Sequence, residues 1–139
     1  MWAAIITALG TILVSAGTFY FTKRAEREAS WRSKKLTYYE EFLGAASGIV
    51  GQKTTADAQR RFATSVNNLH LVGSNGVISA LHNFIDEISA SNREFSQAKH
   101  DQLWSVLVWE IRRDLGDPPT SSSTGFAARL WASGTGRNA

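Results

Sequence analysis

The sequence predicts an all-α protein in which one N-terminal transmembrane helix continues into a cytoplasmic up-and-down helical bundle. Three observations carry that expectation. Trp2 to Phe21, "WAAIITALGTILVSAGTFYF", contains no charge. Four later segments repeat apolar residues at spacings of three and four, the period of a helix with one buried face. No segment alternates with period two for long enough to suggest a sheet.

The first element follows from length and charge order. Twenty helical residues rise roughly 30 Å, the thickness of a bilayer's hydrocarbon layer. A secretory signal carries its positive charge before the apolar stretch, whereas here only Met1 precedes Trp2 and the charge follows. A retained single-pass anchor is expected over residues 1–22, with the N-terminus outside and Lys23 onward in the cytoplasm. Within the span, Ala4, Ala8, Thr11, Ser15, Thr18 and Thr22 fall on one stripe. Trp2, Ile5, Leu9, Leu13 and Tyr20 occupy the opposite side. Lipid tails gain nothing from hydroxyls, while a neighbouring helix approaches closely over small residues, so the stripe is expected to face another copy of the chain or water. The competing reading is that the hydroxyls bond back to carbonyls of their own helix.

Residues 23–116 read as the cytoplasmic four-helix domain. No Gly or Pro interrupts Lys23 to Leu43, so the span is expected to run on as one long helix with a core stripe of Leu36, Tyr39, Leu43, Ala46 and Val50, flanked by Phe42 and Ile49. A second helix is capped by Thr54 or Thr55 and presents Phe62, Val66 and Leu69. "GSNG", Gly73 to Gly76, makes a turn. A third helix carries Val77, Ile78, Leu81, Phe84, Ile85 and Ile88, and ends near Ala90. The fourth starts after Ser91 or Asn92, carries Leu103, Trp104, Leu107, Val108, Ile111 and Leu115, and is stopped by Gly116 and the "DPP" that follows. Short connections favour the up-and-down order. Residues 117–139 are expected to be a flexible tail with a short apolar patch, Phe126, Leu130 and Trp131.

Composition narrows the chemistry. The 139-residue chain has no cysteine, which excludes disulfides, thiolate metal sites and a cysteine nucleophile. Its net charge is only +3, but Lys23, Arg24, Arg27, Arg32, Lys34 and Lys35 cluster directly after the apolar stretch. Cations there set topology and attract anionic lipid, by about 1 kcal/mol each near the surface. They therefore read as membrane-surface residues, with no DNA partner implied. "GIVGQKTT" fails as a phosphate loop, because Gln52 separates Gly51 from Lys53 and no strand precedes it. Arg60 and Arg61 on a short helix, with Lys53 close by, form a candidate anionic-ligand cluster, against the ordinary reading of a solvated charged face. His70 and His82 lie on different helices with no further ligand at metal-binding spacing, so no metal site and no cofactor are expected.

Two resemblances add expectations. Arg93 and His100, in "REFSQAKH", resemble the Arg-then-His pair of HEPN ribonucleases, helical bundles that often act in bacterial defence. Glu94 stands where that family usually has a polar residue after the arginine. The layout of an N-out span, basic collar and helical cytoplasmic domain resembles small single-pass effectors of bacterial anti-phage systems. In some of these a nucleotide or other signal makes assembled subunits permeabilise the inner membrane. The resulting expectation is a non-enzymatic homo-oligomer whose bundle controls helix packing in the bilayer and forms or gates a pore. A nucleotide signal or a cytoplasmic protein partner would act on the bundle. The alternatives are an anchored module recruiting a soluble partner and, second, a HEPN-like ribonuclease acting through His100.

Overall fold

The computed structural model describes residues 1–50 and 54–131. These form four α-helices, with no strand among the described residues: α1 Trp2–Ile49, α2 Ala56–Val72, α3 Asn75–Ile88 and α4 Gln97–Asp114, followed by a 3₁₀ turn at Ser123–Gly125. The fold is all-helical, a long N-terminal helix leading into a bundle-like arrangement. It separates into two compact units, Met1–Lys34 and Lys35 onward.

The first unit is helix alone. Its apolar segment is long and apolar enough to cross a membrane, and none of that segment's residues is buried within the chain. Trp2, Ile6, Leu13, Val14, Phe19 and Phe21 are all exposed to more than half of their surface.

The second unit is built around one core. Tyr39, Phe42 and Ala46 of α1, Leu69 and Val72 of α2, Val77, Ala80, Leu81 and Phe84 of α3, and Trp104, Leu107 and Ile111 of α4 are buried together. Burial of each large side chain of this kind contributes about 1.5–3 kcal/mol. Of the expected α1 stripe, Tyr39, Phe42 and Ala46 are buried and Leu43 packs against the core; Leu36 is exposed and Ala45 is buried in addition. Phe84 anchors the centre, with its ring 5.2 Å from that of Trp104. Gly76 and Ala80, one turn apart on α3, let α4 come close. A Cβ on Gly76 would stand 2.3 Å from Glu110 Oε2 and 2.6 Å from Arg113 Nη2, the two members of an α4 ion pair.

Helix ends are set by side chains the sequence supplies. Thr55, Ser74 and Ser96 are the N-caps of α2, α3 and α4, each accepting a bond from a backbone N–H three residues on. Asn75 and Gly76 therefore belong to the first turn of α3, and the α2–α3 connection is only Gly73 and Ser74. α4 closes in a Schellman motif: Gly116 has φ 85°, its N–H bonds Arg113 O, and the Asp117 N–H bonds Arg112 O.

Two buried polar clusters tie the helices together. Lys35 Nζ sits 3.0 and 2.8 Å from the two carboxylate oxygens of Asp114, and the Tyr39 hydroxyl donates to the same carboxylate. This places Lys35 in the bundle, with its side chain 15% exposed. Burial, followed by the adjacent Asp114 carboxylate, pushes the Tyr39 hydroxyl well above the ordinary tyrosine range. On the far side of the bundle core, Glu87 is 2% exposed. Its Oε2 pairs with Lys99 Nζ at 2.7 Å and its Oε1 accepts the Ser96 N–H at 2.9 Å. The Lys99 ion pair and then the Ser96 bond hold its carboxyl below the usual range. A carboxylate at the start of α4 also favours that helix's dipole.

The tail makes specific contacts with α4. The Ser105 hydroxyl accepts from Ala128 N–H at 2.9 Å and lies 3.1 Å from Ala128 O, while Trp109 Nε1 donates to Thr120. Ala128 and Leu130 pack on the core, and Trp131 is exposed.

Candidate functional site

The ends of all four helices and the tail frame an apolar pocket of about 610 Å³. Ile49 and Val50 come from the end of α1, Phe62 from α2, Phe84, Ile85 and Ile88 from α3, Phe95 from the loop before α4, and Leu130 from the tail. The polar groups in its wall are few: Thr54, Gln59, Ser89, Gln97 and His100. A concave, mostly apolar surface of this volume with a handful of polar groups has the make-up of a small-molecule site. The described lining is mostly apolar with a few hydrogen-bonding groups, which suits an apolar molecule with a hydrogen-bonding head.

His100 is the titratable residue in that wall. It is 7% exposed and wedged between rings, 5.3 Å from Phe84 and 6.0 Å from Phe95. Its Nδ1 lies 2.9 Å from Asp101 Oδ1, which also accepts from Gln97 Nε2 at 2.8 Å. Those two bonds, that with His100 the stronger, hold the Asp101 carboxyl below its usual range. With Nδ1–H engaged by the carboxylate, Nε2 is left as an acceptor. Such an Asp–His arrangement positions a ring, but no hydrogen bond joins His100 to a hydroxyl among the described residues. Arg93 is exposed, and no ion pair or hydrogen bond links it to His100.

The remaining sequence candidates separate into groups. Ala4, Ala8, Thr11, Ser15, Thr18 and Thr22 are all exposed within the single chain, as are the large apolar residues of the opposite side. Thr11 and Thr18 each donate to a carbonyl four residues back, at 2.9 Å, and so does Thr7, which lies off the stripe. Back-bonding satisfies the hydroxyl donor and leaves oxygen lone pairs on the surface. In the basic segment, Lys23 pairs with Glu26 and Arg24 with Glu28, all solvent-exposed. Arg27, Arg32 and Lys34 are exposed. Arg60 and Arg61 border a shallow groove of about 390 Å³ with Glu41 and Asn68, and Arg60 lies 3.7 Å from Asp57. Lys53, grouped with them from sequence, lies outside the described residues.

Sequence reasoning missed the pocket because its walls come from the stretches 49–62 and 84–100 and from Leu130 in the tail, which only the packing of the helices brings together. It also missed the meeting of His70 and His82, whose Nε2 atoms stand 2.9 Å apart across α2 and α3. Trp109 is buried at 7% exposure, whereas Trp131 is 71% exposed. No protein family matches the chain, and neither a characterised protein nor a solved structure matches it.

Proposed function

We propose that the chain is a single-pass effector of a bacterial inner membrane that assembles with copies of itself, its cytoplasmic bundle setting how the span helices pack and so whether ions or water cross. One observation carries this reading: an apolar segment of membrane-spanning length has no buried residue in its own chain. Something outside the chain must cover it. Lipid covers the Trp2, Leu9 and Leu13 side, and a second copy of the helix is the better neighbour for the Ala4, Ala8, Thr11, Ser15 and Thr18 side, whose small residues allow close approach. The basic residues after the span favour the N-out orientation. The pocket supplies a means of control, since a ligand that prefers one arrangement of the bundle shifts the population by its differential affinity, typically about 1–3 kcal/mol. A role in anti-phage defence is the context the architecture resembles.

Replacing both Ser15 and Thr18 with Leu tests the reading in proteoliposomes. Ion flux should be lost in the variant while its insertion and helix content are kept; flux equal to that of the unaltered chain sinks the pore. A second reading, an anchored module that binds a cytoplasmic partner or small molecule without assembling, is favoured by the apolar pocket and by exposed Trp131. A monomeric mass in detergent selects it. The ribonuclease reading has no comparable support, since His100 is walled by rings and Arg93 is not bonded to it.

A further inference from the structure

His70 and His82 occupy neighbouring exposed positions on α2 and α3, with ring centroids 5.2 Å apart and Nε2 atoms 2.9 Å apart. His70 Nδ1 is 2.9 Å from Val66 O, one turn back on its own helix. A carbonyl can only accept, so Nδ1 carries the proton and the His70 Nε2 lone pair points at His82. That is the tautomer a ring needs to ligate a metal through Nε2, fixed by the outer hydrogen bond that metal-binding histidines commonly make; a modest turn of each ring would aim both Nε2 lone pairs at a shared ion beside the line that joins them.

We infer that this pair is a two-imidazole site for a divalent late first-row transition metal. Two nitrogens each about 2.05 Å from a metal lie about 2.9 Å apart if they subtend a right angle, and about 3.4 Å apart at the tetrahedral angle. The observed separation fits adjacent ligands of square-planar or octahedral Ni²⁺ or Cu²⁺, and a small rotation of His82 would suit Zn²⁺. Solvent exposure of both rings leaves room for water to complete the coordination. In the metal-free chain the same lone pair accepts the Nε2–H of His82. Metal entry moves that proton to His82 Nδ1 and replaces the N–H···N bond with two N–metal bonds, so no net proton need be released. The rings come from different helices, so a bound ion joins α2 to α3.

The chain has no cysteine and just three histidines, the third of them buried, so an imidazole signal can be assigned without thiolate competition. Untagged full-length chain in detergent is titrated with Ni²⁺ and with Zn²⁺ by calorimetry, with Mg²⁺ as the control. The unfolding temperature is followed in parallel. One equivalent of Ni²⁺ should bind, Mg²⁺ should not, and the midpoint should rise with Ni²⁺ concentration. His70→Ala and His82→Ala should each lower the affinity at least tenfold. Neither ring is in the core, so metal-free midpoints close to that of the unaltered chain show that both variants fold. If a variant does lose its fold, exchange broadening of the two ring signals by substoichiometric Ni²⁺ in the unaltered chain decides instead. Binding that is unchanged in both variants, or a Ni²⁺ response no greater than that to Mg²⁺, overturns the assignment.

Discussion

Replacing Asp114 with Ala removes an acceptor on which two α1 donors converge. Lys35 Nζ contacts both carboxylate oxygens and the Tyr39 hydroxyl contacts one of them. The side chains of Lys35 and Asp114 are 15% and 10% exposed, so water replaces little of what is lost. Truncating one member of a buried pair costs about 3–5 kcal/mol, because the partner's desolvation is no longer offset. Asp114→Asn keeps the shape and one acceptor, so the loss should be smaller, about 1.5–3 kcal/mol, the worth of hydrogen bonds to a charged group. The double change Lys35→Met with Asp114→Leu removes both charges and should recover most of the stability, leaving mainly the stranded Tyr39 hydroxyl at about 1–3 kcal/mol. Guanidinium unfolding of the full chain in detergent, followed by near-ultraviolet dichroism, to which the buried Trp104 and Trp109 contribute, gives these differences. An Asp114→Ala chain within 1 kcal/mol of the original, or a double variant no better than the single one, refutes the clasp.

Three further predictions follow from the same buried groups. The Tyr39 hydroxyl is raised above its ordinary value near 10; its contribution to stability is therefore full below about pH 10 and lost as pH rises beyond it, and Tyr39→Phe should flatten that alkaline limb in a pH series of unfolding midpoints. Glu87 is shifted the other way, so its contribution is present above the ordinary carboxylate range and disappears as pH falls through its lowered value; Glu87→Gln should lower the midpoint at pH 7 and narrow the gap from the unaltered chain under acid conditions. Gly76→Ala sets a helix-propensity gain of about 1 kcal/mol against a Cβ placed inside contact distance of Glu110 and Arg113. Both are ends of movable side chains that can swing aside, so the two effects should nearly cancel and leave stability within about 1 kcal/mol of the unaltered chain; a loss above about 2 kcal/mol that persists when Glu110 is also shortened to Ala would refute this.

Periodicity is a local property, and what it reports was legible. The apolar faces of α2, α3 and α4, the cap at Thr55 and the stop at Gly116 are written within a few residues of where they act. Of the expected α1 stripe, Tyr39, Phe42 and Ala46 are buried and Leu43 packs against the core, while Leu36 is exposed; periodicity places a face on the helix but does not say how far along it the other helices reach. Ser96 was overlooked as a cap because Ser91 and Asn92 offer the same signal earlier, and the decisive partner, Glu87, reads as a solvated acid on its own helix. The histidine pair and the pocket are products of helix apposition, for which the sequence carries no short-range mark. The tail was read as a linker from its Ser and Gly content, yet its hydrogen bonds to Ser105 and Trp109 need only a few well-placed polar atoms.

Lys35 and Asp114 are separated by 79 positions, and this has a bearing on synthesis. The lysine leaves the ribosome long before the aspartate exists, so a nascent chain carries half of a fastener through most of its translation. A chain cut short before Asp114 therefore lacks the acceptor that joins α1 to the end of α4.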